Sequence, residues 1–247
     1  METLSVEQLL HSIREGMTVF EHIRLEEADL TPFISELNQR EKPLSFKECS
    51  LKKLQAPGLW MPQIAFIQSS LVLANFSNGD FAEGNFWKSD LRGCNLTACN
   101  LGYARLSSAK LSRCIATDCS FLRANLLNAD LSEAEFGAAE FVEAELTAVR
   151  FTHSNLKHAK LMGATLRDAD LSGANLEEAN FWKASLTNTR LYYPLHLDKA
   201  KNLAYAFLEN TRIAAQEEQI LKEKLAERIL YVITEEDEVH SFFKPLA

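Results

Sequence analysis

The chain has 247 residues and a formal net charge of −8, with 47% hydrophobic and 24% charged residues. Such a length fills a core, while the acidic balance argues against direct binding of nucleic acid. The six histidines are scattered, the five cysteines form no CxxC pair, and no run approaches the ~20 apolar residues of a membrane span.

The first predicted element is a short helix. Ser5 with Gln8 three residues on makes a capping box, Leu9, Leu10 and Ile13 give an apolar stripe, and Gly16 ends it. The opening "METLSVEQLLHS" has neither a basic region nor a long apolar run, so a cytoplasmic, reduced setting is expected. Phe20, Leu25 and Leu30 then step by five, with Ile23 and Ala28 two places before the later pair. Leu30 to Phe46 is sixteen residues, so the phase slips by one across Pro32, "FISELNQREK" and Pro43; residues 31 to 43 are read as a bulging helical insertion. Residues 1 to 43 thus form an N-terminal cap helix, a first partial coil and an insertion. From Phe46 the five-residue step resumes through Leu51, Ala56 and Met61. Leu44, Leu54, Leu59 and Ile64 are bulky two places earlier, and with Pro57, Gly58 and Pro62 they predict an irregular coil over 44 to 65.

Regularity begins at Phe66. Of the 26 positions stepped by five from Phe66 to Leu191, 25 are Leu or Phe and Ala116 is the exception. Two places before each centre sits a small residue, such as Ala74, Gly79, Gly84 or Ala184, and the place just before it is usually polar. Neither a helix nor a strand has this period. Units such as "ADLSG" (169 to 173), "ANLEE" (174 to 178) and "ANFWK" (179 to 183) resemble the pentapeptide-repeat family, over at least residues 64 to 193. The resemblance implies an all-β solenoid, a right-handed quadrilateral β-helix in which four pentapeptides make one coil with the centre and the small residue pointing inward. Physically, a large centre fills the interior and a second bulky inward group would overpack it.

If one coil is twenty residues, residues twenty apart stack into columns. One inward column is Phe81, Leu101, Phe121, Phe141, Leu161 and Phe181; beside it Ala116 leaves room into which Phe136 should lean. One outward column alternates in sign: Asp90, Lys110, Asp130, Arg150, Asp170 and Arg190. Another, with Asn75, Asn95, Asn155 and Asn175, is expected to form an amide ladder. The position after the centre is polar on most sides, yet on one it reads Ala82, Gly102, Leu122, Val142, Met162 and Trp182. The last four make an exposed apolar stripe, which Trp87 and Leu127 on the adjacent side widen. It is read as a homodimer interface or a docking strip for another segment of this chain, with tolerated scattered surface hydrophobes and a site for a foreign protein as the alternatives. Cys94, Cys99, Cys114 and Cys119 fall in the small inward slot and read as buried hydrophobes.

After Leu191 the five-residue step stops at "YYPLHLDKAKN". Residues 194 to 247 are read as a helical capping and association segment. A helix over 211 to 233 would present Ile213, Ile220, Leu221, Leu225 and Ile229 on one side, cap the last coil and pack along the apolar stripe. No nucleotide loop, zinc motif or nucleophile elbow occurs, so no catalytic residue, cofactor or metal is assigned. The chain reads as a non-catalytic interaction protein with a protein partner, itself included, and no membrane partner. The resemblance also implies an alternative, imitation of DNA to modulate DNA gyrase. Residues 66 to 193 carry 14 acids and 12 bases, which is weak support for imitating duplex DNA with its charge every ~1.7 Å. Glu133, Glu135, Glu140, Glu143 and Glu145 make the one local acidic belt.

Overall fold

The computed structural model describes residues 1–225 together with 232–233 and 239–240. In chain order it contains β1 (Glu2–Thr3), α1 (Val6–Arg14), β2 (Val19–Glu21) and β3 (Ile23–Arg24). A 3-10 turn at Thr31–Phe33 runs into α2 (Ile34–Leu37), followed by β4 (Ser45–Lys47) and β5 (Ala65–Ile67). A long series of single-residue parallel bridges then leads to β6 (Arg190–Leu191). Beyond it come 3-10 turns at Leu197–Lys199 and Leu203–Tyr205, β7 (Thr211–Ile213), α3 (Ala215–Leu225), β8 (Val232–Ile233) and β9 (Val239–His240).

The bridges define a β-solenoid. Asp80 pairs with Asn100, Asn100 with Ser120 and Ser120 with Glu140, and the same lag of twenty holds on four successive five-residue sides. Backbone hydrogen bonds explain the unit residue by residue. In Asp80–Gly84, the Asp80 N–H donates to the Leu59 carbonyl in the coil below (2.9 Å), and Phe81 and Glu83 donate to Asn100 and Gly102 above (2.8 Å each). Gly84 N–H closes the corner turn on the Phe81 carbonyl at 2.9 Å. The remaining donor, Ala82 N–H, is taken by the Asp80 side-chain oxygen at 3.0 Å. All five N–H groups are thereby satisfied, and the polar residue before the centre is the one that completes the set.

The corner has a conformational cost. Its third residue is left-handed, as at Leu73 (φ 61°), Ala98 (φ 54°) and Tyr103 (φ 59°), which disfavours L-residues by roughly 1–2 kcal/mol. The ladder bonds and the filled interior hold it. Inward centres such as Phe81, Leu101 and Phe121 are fully buried. The small slot is a steric requirement: a Cβ on Gly84 would stand 2.8 Å from the Phe81 carbonyl oxygen and 2.9 Å from the Phe86 ring. Phe121 and Phe141 stack at 4.9 Å, and Phe136 stands edge-on to Phe121 in the coil below, where Ala116 leaves room. Serines and threonines in the slot donate inward, Ser89 to the Phe86 carbonyl (2.6 Å) and Thr189 to that of Leu166 (2.7 Å).

Three expectations are corrected at the ends. Residues 44 to 65 are regular, because Ser50, Gln55, Trp60 and Ala65 each pair with the residue twenty later. Their bulky slot residues fill the coil instead of distorting it, with Leu54, Leu59 and Ile64 lining the same apolar space as Leu9, Ile13, Leu30 and Leu37. The insertion does not bulge. Leu37 is buried, Arg14 makes a bidentate pair with Glu36 at 2.8 Å, and Arg40 donates to the Ile13 carbonyl. Asn38 stands in for a missing strand: its amide donates to the Gly58 carbonyl (3.0 Å) and accepts from Trp60 N–H (2.7 Å). Arg24 pairs with Ser50 and Asp29 with Gln55, so the first coil spans 26 residues.

The coil also outlasts Leu191. Leu195 pairs above Asn175, Lys201 above Asn180 and Phe207 above Ser185, while β7 adds to β6. Thr211–Ile213 is therefore strand and not helix, and Val232–Ile233 is a strand paired in parallel with β7. Among the described residues, the helix covers Ala215–Leu225. Among the described residues no helix is long and apolar enough to cross a membrane.

Candidate interaction faces

The corner position just after the centre carries the apolar stripe. Leu122, Val142 and Met162 are half-buried and Trp182 is exposed. Arg123, Glu143 and Gly163 stack one place further along the same corner, so the stripe has a polar border. Trp182 does not stand alone: the Tyr205 ring lies 4.5 Å from it. Phe207, 60% exposed, occupies the outward place above Ser185 where the repeat normally carries a polar residue. Trp87 and Leu127 are exposed at the next corner, and Lys88 sits over the Trp87 ring at 4.4 Å.

The five residues assigned to the C-terminal helix separate. Ile213 is fully buried on β7, Leu221 is buried on α3 and Ile220 is half-buried against the core. Leu225 is the last described residue of α3, and Ile229 lies outside the described residues. α3 packs on the turns at Leu197–Lys199 and Leu203–Tyr205, with Lys224 donating to the Ala200 carbonyl at 3.1 Å. It lies at the end of the coil stack and leaves Leu122 and Val142 uncovered, contrary to the expected packing along the stripe. The reason is geometric, since the chain must finish another coil before the helix can start.

The charges are largely spent within the chain. Arg113 pairs with Glu133 (2.9 Å), Arg123 with Glu143 (2.6 Å) and Lys160 with Glu140 (2.5 Å), so three acids of the belt are neutralised by the neighbouring coil. Glu135 accepts from the Asn155 amide, and Glu145 from Thr147 N–H. In the sign-alternating column, Arg150 and Arg190 approach Asp130 and Asp170 only to 3.9 and 3.6 Å, while Asp90 turns to Arg92. Exposed pairs of this kind contribute about 0–1 kcal/mol. The asparagine column is not an amide ladder: Asn75, Asn95, Asn155 and Asn175 each accept the N–H two residues on. Glu177 is held between Lys157 and Lys199, whose hydrogen bonds draw its carboxyl down to about 2.

The thiols have little chemistry to offer. Burial pushes Cys94 and Cys99 up to about 12, and Cys94 donates to the Leu71 carbonyl at 2.8 Å. A group held as a neutral thiol is a poor metal ligand or nucleophile. Between the insertion and the coils, the residual space of about 20 Å³ is lined by apolar side chains such as Leu9, Leu30 and Met61.

These features define a β-solenoid whose variable surface, not its filled interior, is available to other molecules. Residues 64–98 match the family model described as pentapeptide repeats and residues 114–191 that of a pentapeptide repeat region, so these stretches are pentapeptide repeats. No match was found among curated proteins. Among solved structures, it is similar to full-length QnrB1, a plasmid-mediated fluoroquinolone resistance protein, at 14% identity over 84% of this chain and 99% of that one, with a TM-score of 0.54. HetL, involved in heterocyst differentiation regulation in the cyanobacterium Nostoc sp. strain PCC 7120, is 21% identical over 96% of this chain and 100% of its own, with a TM-score of 0.48. A pentapeptide repeat protein of the Arabidopsis thaliana thylakoid lumen is 31% identical over 36% of this chain and 63% of its own, with a TM-score of 0.36.

Proposed function

We propose that this chain is a non-catalytic scaffold that binds protein through the sides of a right-handed quadrilateral β-helix, with α1 and α3 as its end caps. The observation that carries the reading is the continuous apolar stripe at Leu122, Val142, Met162 and Trp182, on a rod whose interior is already filled. Contiguous apolar surface of that kind marks a contact, because nothing in the packing of the coils requires it. Tyr205 against Trp182 and exposed Phe207 extend the surface at its C-terminal end. Affinity capture from the native host tests this, with the wild type against the Met162→Glu/Trp182→Glu double variant. A band lost with the variant identifies partner and face together, whereas identical bands from both would reject the stripe as the contact.

Modulation of gyrase by imitation of DNA is the weaker reading, because paired acids such as Glu133, Glu140 and Glu143 present little uncompensated charge. Inhibition of supercoiling by the purified chain would reverse that order.

A further inference from the structure

We infer that a second copy of this chain docks antiparallel on the side whose outward column is Asn85, Arg105, Asn125, Glu145 and Thr165, about a two-fold axis level with Asn125. This deepens the reading of the chain as an interaction protein by committing one of its sides to self-association. The column order is fixed by successive bridges from Asn85 to Thr165. At the neighbouring corner, Trp87, Leu127 and Arg167 fall on one stacked line, and Lys88, Asn128 and Asp168 on the next.

The argument is charge complementarity under a specific symmetry. Among the described residues, Lys88, Arg105 and Arg167 on this side and corner make no ion pair, and neither do Lys110 and Lys183 elsewhere on the coils, whereas Arg113, Arg123, Arg150, Lys157 and Lys160 do. Within one copy these charges cannot meet their opposites. Arg105 and Glu145 are two coils apart, ~10 Å, and Lys88 and Asp168 are four coils apart, ~19 Å, at the parallel-strand spacing. A two-fold axis lying in the face, perpendicular to the rod and level with Asn125, exchanges the coils above and below it. Arg105 then faces Glu145 of the second copy, Lys88 faces Asp168, and Arg167 faces the Trp87 ring, each contact occurring twice. Leu127, exposed on the rod, meets its own equivalent close to the axis and supplies apolar burial at the centre.

Sedimentation velocity on the full chain at low and high salt tests the pairing. The wild type is expected to dimerise, more weakly at high salt. Arg105→Glu and Glu145→Arg should each weaken dimerisation at least ~10-fold through like-charge contacts, and the double swap should restore it to within ~3-fold of the wild type. Circular dichroism on each variant checks that the coils are intact. A wild type that stays monomeric up to its solubility limit, single swaps without effect, or a double swap that fails to rescue would each overturn the inference. None of these outcomes bears on capture of a foreign partner at the Met162 and Trp182 stripe, so the two readings fail separately.

Discussion

The polar residue before each centre is predicted to be a stability element that works through one hydrogen bond. Asn95 is the cleanest case: its side-chain oxygen accepts Thr97 N–H at 3.0 Å, and it carries no charge to complicate the result. Asn95→Ala removes the acceptor and leaves a part-buried N–H with only irregular access to water. A lost neutral hydrogen bond of this kind costs about 0.5–1.5 kcal/mol, and the stranded donor places it toward the upper end. The next coil offers the reverse experiment. Ile115 occupies the equivalent place directly above Asn95, is 47% exposed and gives Thr117 N–H no acceptor. Ile115→Asn should therefore stabilise by about 0.5–1 kcal/mol, with a midpoint rise of roughly 2–4 °C per kcal/mol in a domain of this size. Because the two sites stack, they are best measured separately, with Asn175→Ala four coils away as the additive partner of Asn95→Ala. Urea and thermal denaturation give the free energies, and amide exchange at Thr97 reports the bond itself. If Asn95→Ala costs no more than substitution of an exposed serine, and Thr97 exchange is unchanged, the side-chain cap is not what the unit selects.

Three further outcomes are expected. Gly173→Ala should destabilise by about 1–3 kcal/mol, since φ is +68° and the new Cβ would lie 2.3 Å from the His153 Nδ1; His153→Ala in the same chain should recover part of the loss in a denaturant titration. Glu177 has a folded value of about 2 against an ordinary 4.5, so its contribution is fully present above pH 4.5 and is lost as pH falls through 2. Stability measured from pH 5 to pH 2 should fall less steeply in the Lys157→Met/Lys199→Met variant; an identical slope would remove the lysine clamp as the cause. The thiols of Cys94, Cys99, Cys114 and Cys119 should resist a soluble disulfide reagent in the folded chain and react on unfolding, and rapid labelling of any of the four under native conditions would contradict their burial.

Most of the fold was legible because one physical constraint repeats. Every inward place must be filled to crystal density, so Leu or Phe at the centre and a small residue two places earlier appear in the sequence wherever the coil is regular. The polar residue before the centre was visible as a pattern, but its reason was not. A column of asparagines looks like an amide ladder in one dimension, whereas Asn75 and Asn95 in fact turn back to their own backbones. The apolar stripe was legible for the same reason as the core, by stepping twenty, and the two aromatics that complete it were not. Tyr205 and Phe207 sit after insertions that carry the lag from twenty at Asn175 to 22 at Ser185, which a fixed step cannot follow.

The ends show why the rule of five fails there while the coil survives. In the last coil the units lengthen: Ala200, Lys201 and Leu203, then Ala206, Phe207 and Leu208, still give a small inward residue, an outward residue on the bridge and a large buried one. The inward requirement is unchanged, but each added residue is absorbed between the outward bridge residue and the buried one, at the left-handed His196 and Asn202. At the other end the coil keeps its sides while losing a strand, and Asn38 replaces the missing peptide with a side-chain amide that both donates and accepts. Both devices preserve hydrogen bonding at a place where the apolar period is no longer a guide. A search keyed to inward volume and backbone satisfaction, in place of a fixed spacing, would have carried the coil from Val19 to Ile213.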